Sequence, residues 1–327
     1  MSGNRWRGVA RETLSWLLLA FALWLVFARL PRVAGILPLW RPWAEVGVLA
    51  LGMTAVILTG GIDLSVGSTL SLAGVVLGVL WQVWGVPWQW AALGAVLTGT
   101  ACGSLNGWAI SWGMSPLVTT LASMALYSGL ALALLEQTRI TGFPPALVGL
   151  GEGSLMGVPS QVVLLGLVAV VMAVVVHATP LGRYLFSLGD QRRSAEFAGV
   201  PVQRVERVLY ALNGCLAGLV AVWFTARRGA VVADAGQGLE LQVIACVVLG
   251  GTRVTGGSGS VARTLLGLGI LAHLEIGLRL WGNGRVTVPG VGWVMALNAN
   301  ARLILIGMLV ILVALLNERL APRQKDL

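Results

Sequence analysis

The chain has 327 residues, of which 57% are hydrophobic and 11% are charged, and its formal net charge is +9. A soluble domain carries about 25% charged residues, so this composition excludes a water-soluble fold and indicates a polytopic membrane protein. Because the arginines cluster between apolar runs, the positive charge is better explained by loops that face an anionic membrane surface than by nucleic-acid binding.

Apolar runs long enough to cross a bilayer as helices predict an all-α protein with about ten transmembrane segments. The first run follows a basic start, but no small-residue cleavage site comes after it, so we expect it to be retained. The eighth run is short and ends in glycines, which predicts a broken helix. The runs lie near residues 13–30, 44–61, 66–84, 89–110, 116–135, 161–179, 206–226, 239–251, 261–281 and 302–317.

Basic residues predict the orientation of the chain. If the N-terminus lies inside, the arginine-rich segment 183–207 and the basic C-terminus also lie on the inner side. Positive residues are enriched in cytoplasmic loops, so we expect both termini in the cytoplasm. Tryptophans flank the loop after the third span, as interfacial aromatic residues do; they are Trp81, Trp84, Trp88 and Trp90.

The second and third spans are joined through "TGGIDLSVGSTLSLAG", which runs from Thr59 to Gly74. A charged side chain at mid-bilayer costs roughly 2.5–3.5 kcal/mol, so Asp63 must lie near the surface, be paired or face a polar cavity. Gly60 and Gly61 weaken the helix, while Asp63 and Ser65 can cap the next one. The stretch can be a tight inner turn with a helix cap, the border of a translocation route, or both.

A second glycine-rich stretch, "LGGTRVTGGSGSVARTLLG" from Leu249, is similar to the first. Gly60 and Gly61 align with Gly250 and Gly251, and each stretch falls between an inward-running and an outward-running span. Transporter folds often contain internal repeats, so we expect a weak repeat here.

Three motifs, in order along nearly the whole chain, resemble signatures of the ribose-type (monosaccharide) permease family of bacterial ABC importers. They are "GGIDLSVGS", "NGWAISWGMSPLVTTLAS" from Asn106 to Ser123, and "GLELQVIACVVLGGTRVTGGSGSVARTLLG" from Gly238 to Gly267. The resemblance implies a single all-helical permease domain over residues 1–327. The residues that we assign to these motifs or to a polar translocation path are Gly60, Gly61, Asp63, Ser65, Ser68, Asn106, Pro116, Thr119, Asn213, Glu240, Gln242, Gly250 and Gly251.

Segment 181–205, between the sixth and seventh spans, is too polar to cross lipid and predicts a short helix. Asp190 is its expected N-cap, residues 191–198 form the helix, and Gly199 ends it. An exposed arginine pair and an apolar anchor favour contact with another protein; these residues are Arg192, Arg193 and Phe197. The alternative is a positively charged inner loop with a helical turn.

The family resemblance implies that this segment is the coupling helix, which docks on an ATPase subunit. The family's helix often begins Glu-Ala-Ala, whereas Arg192, Arg193 and Ser194 stand here. This departure suggests that the chain is one half of a heterodimer whose partner carries the more typical loop. The implied coupling residues are Asp190, Gln191, Arg192, Arg193, Ser194, Ala195, Glu196, Phe197 and Gly199.

The sequence contains neither a nucleophile–base pair nor a Walker motif. The cysteines lack metal-ligand spacing. We therefore expect no enzymatic activity, metal or cofactor. The resemblance implies a permease subunit in the bacterial inner membrane that imports a monosaccharide or a related carbohydrate such as ribose, xylose, galactose, rhamnose or autoinducer-2.

The expected partners are a second permease chain, identical or different, two ABC ATPase subunits, an extracytoplasmic solute-binding protein and the lipid bilayer, with no nucleic acid. An ion-coupled secondary transporter that acts alone is the alternative. Its ion site would be Asp63 or Glu275, and it would need no ATPase.

Overall fold

The computed structural model describes residues 17–24, 26–27, 35–135, 139–281, 285–287, 294–296, 304, 307–308 and 311. Parts of the first predicted span and most of the tenth lie outside the described residues. The described part is helical apart from short strand pairs, which confirms the predicted all-α class. The helices are α1 (Arg41–Leu58), α2 (Val66–Gln82), α3 (Trp88–Ser111), α4 (Pro116–Leu134), α5 (Pro145–Glu152), α6 (Ser160–Ala178), α7 (Pro180–Phe197), α8 (Val202–Arg228), α9 (Leu239–Leu249) and α10 (Val261–Trp281).

The strands form three antiparallel pairs in the loops. They join β1 (Ile140–Thr141) to β4 (Ala230–Val231), β2 (Ser154–Leu155) to β3 (Val158–Pro159), and β5 (Arg285–Thr287) to β6 (Val294–Ala296). The β1–β4 pair fastens the loop after α4 to the end of α8.

Five helical segments of the described chain are long and apolar enough to cross a membrane. They are Leu37–Leu58, Pro116–Leu134, Ser160–Ala178, Val202–Arg228 and Val261–Leu280. The α2 and α9 helices are apolar but shorter, and α9 has only 11 residues. The short eighth run of the sequence therefore folds as a short helix.

Burial separates a central helix from peripheral ones. In the most apolar 18-residue stretch of each helix, 89% of the residues are buried in α1, whereas 22% are buried in α4 and 33% in α6. The exposed side chains of α4 and α6 are mostly leucine and valine, for example Leu121, Leu132, Leu167 and Val170. Apolar side chains at the periphery suit contact with lipid rather than water.

One close helix crossing in the bundle joins α3 to α8 through glycines. Gly99 and Gly103, four residues apart on α3, lie against Gly214 of α8. A Cβ atom at Gly103 would overlap the carbonyl oxygen of Tyr210, and one at Gly214 would overlap that of Gly99. Small residues at four-residue spacing let membrane helices approach backbone to backbone, and this contact places the polar side chains of α8 beside α3.

The α1 and α9 helices end in the same way. Each is closed by a left-handed glycine, Gly60 (φ 81°) or Gly251 (φ 92°), a conformation that favours glycine. The hydrogen bonds that complete the two turns run from Gly61 N–H to Val56 O and from Thr252 N–H to Val247 O, both 3.2 Å. Gly60 therefore matches Gly251, so the predicted alignment of Gly60 with Gly250 is wrong by one residue.

The loops that follow α1 and α9 meet the middle of α7. Gly257 N–H donates to the carbonyl of Leu58 at 3.0 Å. Gly256 adopts φ 89°, and a Cβ there would lie 2.7 Å from the nitrogen of Gly60 and 2.8 Å from the Cα of Gly189. The loop after α1, the loop after α9 and the middle of α7 pack so closely that side chains have no room between them. The glycines of both glycine-rich stretches are therefore required by packing at this end of the bundle.

Candidate functional site

Asp63 lies in the buried turn between α1 and α2 and is only 2% exposed. One carboxylate oxygen accepts hydrogen bonds from the backbone N–H of Ser65 at 2.9 Å and from its hydroxyl at 2.7 Å. The other oxygen accepts a 2.7 Å hydrogen bond from Asn213 Nδ2 of α8. These uncharged donors satisfy the buried carboxylate and tie the turn to α8.

The network around Asp63 continues into α3 and α4. Asn106 Nδ2 donates to Ser65 Oγ at 2.8 Å. The hydroxyl of Tyr127 lies 3.1 Å from Asn106 Oδ1 and 2.9 Å from the carbonyl oxygen of Cys102. Side chains from three helices therefore converge near one buried turn and fix the backbone that joins α1 to α2.

Other predicted path residues surround the same turn. Ser68 Oγ donates to the carbonyl of Ser65 at 2.8 Å, and Pro116 is the first residue of α4. Thr120 Oγ1 donates to the carbonyl of Ile62 at 3.2 Å. Thr119 is buried, but within the described chain its hydroxyl makes no hydrogen bond. Thr120, which sequence reasoning overlooked, therefore adds a contact from α4 to the turn.

Four of the residues predicted for a motif or a polar path, Asp63, Ser65, Asn106 and Asn213, come together in this network, although they lie on three separate segments of the chain. The predicted side-chain cap by Ser65 is wrong, because its hydroxyl donates to Asp63 instead of accepting from the first turn of α2. Sequence reasoning also missed Tyr127. Tyr127 could have been predicted, because a lone tyrosine in an apolar span carries a hydroxyl that needs a hydrogen-bond partner when it is buried.

The segment predicted as a coupling helix is the second half of α7. The backbone breaks at Gln191 (φ −154°, ψ 99°), so Asp190 ends the first half. The predicted N-cap is therefore wrong by one residue: Gln191 occupies that position, and its Oε1 accepts a 2.7 Å hydrogen bond from Ser194 Oγ. The predicted stop at Gly199 is confirmed, since this residue has φ 81° and the following N–H, of Val200, reaches the carbonyl of Ala195 at 3.1 Å.

This half of α7 presents an apolar side chain to the surroundings. Phe197 is 93% exposed, and Arg193 is exposed as well. Ala195 is buried and seats the helix on the rest of the protein. A fully exposed phenylalanine beside a charged residue is typical of an anchor for another protein.

Arg192 connects this exposed segment to α8. Its guanidinium pairs with Glu206, which is 5% exposed, and lies 3.3 Å from the carboxylate of Glu196. The hydrogen bond and the negative charge of Glu206 raise the pKa of Arg192 above its ordinary value. Arg192 therefore stays charged at any physiological pH and fastens α7 to the start of α8.

The remaining predicted residues lie along α9. Glu240 Oε1 accepts a 3.1 Å hydrogen bond from the N–H of Gly238, and its other oxygen packs against Gly67 of α2. Gly250 faces the carbonyl of Arg263 so closely that a Cβ would overlap it. Gln242 lines a cavity of about 770 Å³ at the end of the bundle opposite the exposed half of α7.

Apolar peripheral helices, a buried polar network at the turn between two helices, a cavity at one end and an exposed helix at the other are features of a multi-pass membrane transport protein. Comparison with known proteins agrees with this class. A family model described as "Branched-chain amino acid transport system / permease component" matches residues 43–314. The chain therefore belongs to this permease family.

Two relatives illustrate the similarity. The autoinducer 2 import system permease protein LsrD of Salmonella typhimurium (strain LT2) is 34% identical over 289 residues, which cover 85% of this chain and 87% of the relative. LsrD of Yersinia enterocolitica is 36% identical over 244 residues, which cover 72% and 73%. No solved structure matches the chain significantly. The resemblance to ribose-type ABC importer permeases is thus confirmed.

Proposed function

We propose that this chain is the membrane-spanning subunit of an ATP-driven importer for autoinducer-2 or a chemically related small carbohydrate. The observation that carries the proposal is the similarity to LsrD, a permease named for autoinducer-2 import, along most of both chains. The family description names branched-chain amino acids instead. The similarity to LsrD over most of both chains favours a carbohydrate-derived solute over an amino acid.

ATP hydrolysis takes place on partner subunits, because the sequence has no Walker motif. The exposed half of α7 docks on one of these ATPase subunits, with Phe197 as the anchor and Gly199 as the end of the helix. A solute-binding protein delivers the solute to the opposite end, and a second permease chain completes the membrane domain. The arginine-rich character of segment 183–207 supports a cytoplasmic location of α7.

Uptake in proteoliposomes tests the proposal. The chain, its partner permease, the ATPases and the binding protein are reconstituted, and import of labelled autoinducer-2, D-ribose and L-leucine is measured. We expect import of a carbohydrate only when the ATPases are active. Import that an ion gradient drives with inactivated ATPases would support the secondary-transporter alternative and contradict the proposal.

Two substitutions test the docking segment. Phe197→Asp removes the apolar anchor, and Gly199→Val places a β-branched residue at φ 81°, which costs roughly 1–2 kcal/mol. Each change is expected to lower ATP-driven uptake at least tenfold without reducing the amount of protein in the membrane. Met156, which is 97% exposed at the other end of the bundle, provides the control variant Met156→Asp. Uptake by Phe197→Asp as fast as by the wild type and by Met156→Asp would show that α7 does not dock.

A further inference from the structure

The cavity of about 770 Å³ lies where α1 and α9 begin and where α8 and α10 end. Its volume falls in the range of small-molecule sites, roughly 300–1,000 Å³. Charged side chains line it from three helices, although the surrounding bundle is apolar. Charges within membrane segments are costly to bury and mark solute or ion pathways, so the lining chemistry indicates what the cavity accepts.

The most buried charge in the cavity is Glu45 of α1, which is 4% exposed. Arg227 of α8 binds it through two hydrogen bonds, from Nε to Oε1 at 2.7 Å and from Nη2 to Oε2 at 2.6 Å. A guanidinium has five N–H donors and a carboxylate about four lone-pair sites. The two hydrogen bonds of the pair use only part of this capacity. The remaining N–H groups and lone pairs can bind a ligand while the two charges of the pair neutralise each other.

The remaining charges in the cavity have both signs. Arg228 adds a guanidinium that lies 4.3 Å from the centre of the Phe224 ring, which fixes its position. Glu275 and Arg279 of α10 add one charge of each sign. Three guanidiniums and two carboxylates nearly cancel, so the lining gives a solute with a large net charge little net attraction.

An aliphatic amino acid also fits the cavity poorly. Its ammonium and carboxylate groups would lose the hydration of two full charges on entering the cavity, and any exchange with Glu45 or Arg227 would break their bidentate pair. Hydroxyl groups can instead accept from the free N–H groups and donate to the free lone pairs with the pair intact. Trp43 offers an aromatic face for C–H groups, and Gln242 offers an amide that both donates and accepts.

We propose that this cavity binds a neutral, polyhydroxylated small solute and receives it before it crosses the membrane. The inference rests on the proposed function and deepens it, because it places solute recognition within this chain as well as on a binding protein. The cavity is several times larger than a monosaccharide, so the site binds weakly and releases its solute readily.

Ligand-observed saturation-transfer NMR tests this site on the assembled transporter in lipid nanodiscs without a binding protein. D-ribose and L-leucine are the two probes. We expect saturation transfer to ribose but not to leucine. Gln242→Leu removes one donor–acceptor group from the cavity wall and should weaken ribose binding about fivefold, the effect of losing one net hydrogen bond.

Gln82→Leu is the matched control, because Gln82 is exposed on α2 at the same end of the molecule and does not line the cavity. Arg279→Leu, which changes an exposed side chain on another wall, is a second variant in case Gln242→Leu does not assemble. Equal ribose binding by the assembled wall variants and the control would overturn the inference. Transfer to leucine as strong as to ribose, or none to ribose, would also overturn it.

Uptake by the same preparation in proteoliposomes separates this inference from the proposed function. ATP-driven import of a carbohydrate together with unchanged ribose binding in Gln242→Leu would reject the cavity site alone. Failure of the complete transporter to import any carbohydrate with ATP would reject the proposed function itself, and the inference with it.

Discussion

Replacing Asp63 with alanine should destabilise the protein by removing the centre of its buried polar network. The carboxylate accepts three hydrogen bonds, two from Ser65 and one from Asn213. Its loss leaves the N–H and hydroxyl of Ser65 and the amide of Asn213 without that acceptor. All three donor groups belong to buried residues.

The size of the effect follows from the number of these bonds. Hydrogen bonds between membrane helices contribute about 0.6 kcal/mol on average, and bonds in soluble proteins about 0.5–1.5 kcal/mol. Three lost bonds predict that Asp63→Ala lowers the free energy of unfolding by about 2–4 kcal/mol. The packing loss adds little, because the removed group is small and polar.

Asp63→Asn should have a much smaller effect. The new side chain keeps its size and one oxygen for Ser65, while its amide nitrogen faces the amide of Asn213. Asn213 Oδ1 accepts no hydrogen bond from any described residue, so a half-turn of the Asn213 amide restores the contact. We expect Asp63→Asn to cost less than about 1 kcal/mol.

SDS-induced unfolding in mixed micelles measures these free energies. The control is Asp234→Ala, because Asp234 is an exposed loop carboxylate, and it should unfold like the wild type. A loss below 1 kcal/mol for Asp63→Ala would show that the network does not hold the turn. Equal losses for the alanine and asparagine variants would show that the negative charge of Asp63, rather than its hydrogen bonds, stabilises the fold.

Three further changes test other contacts. Gly103→Leu should separate α3 from α8 and abolish the cooperative unfolding transition, whereas Gly129→Leu, which has open space around its Cα, should not. Arg227→Met leaves a buried carboxylate unpaired and should lower the free energy of unfolding by about 3 kcal/mol, and adding Glu45→Gln should recover most of it. Arg192→Met leaves the buried carboxylate of Glu206 unpaired and should speed amide hydrogen exchange in the second half of α7 and at the start of α8, and unchanged exchange in α7 would contradict its link to α8.

Helix positions could be predicted from the sequence because apolar length is a local property. The predicted sixth span, 161–179, corresponds to α6 at Ser160–Ala178, and the fifth, 116–135, corresponds to α4 at Pro116–Leu134. The stop at Gly199 was equally predictable, because a glycine before Val-Pro is a local signal for a helix end. The broken turn around Asp63 was predictable for the same reason.

Contacts between distant helices could not be predicted in this way. Glu45 and Arg227 are 182 residues apart, and no local pattern relates the start of α1 to the end of α8. Arg192 and Glu206 are 14 residues apart but belong to different helices, so their pairing depends on how α7 folds back onto α8. The single-residue errors at Asp190 and Gly250 arose because backbone dihedrals decide where a helix ends, and side-chain type only biases them.

Helix α8 joins these separate contacts, because it contributes one side chain to each. Glu206 holds α7, Asn213 holds Asp63, and Arg227 holds Glu45. Steps of seven and fourteen residues bring an α-helix back to within about 20–40° of the same direction, so the three side chains lie along one face. At 1.5 Å per residue they span about 30 Å. A shift or rotation of α8 as a unit would therefore strain all three contacts at once, which makes α8 the element through which the two ends of the bundle are held in register.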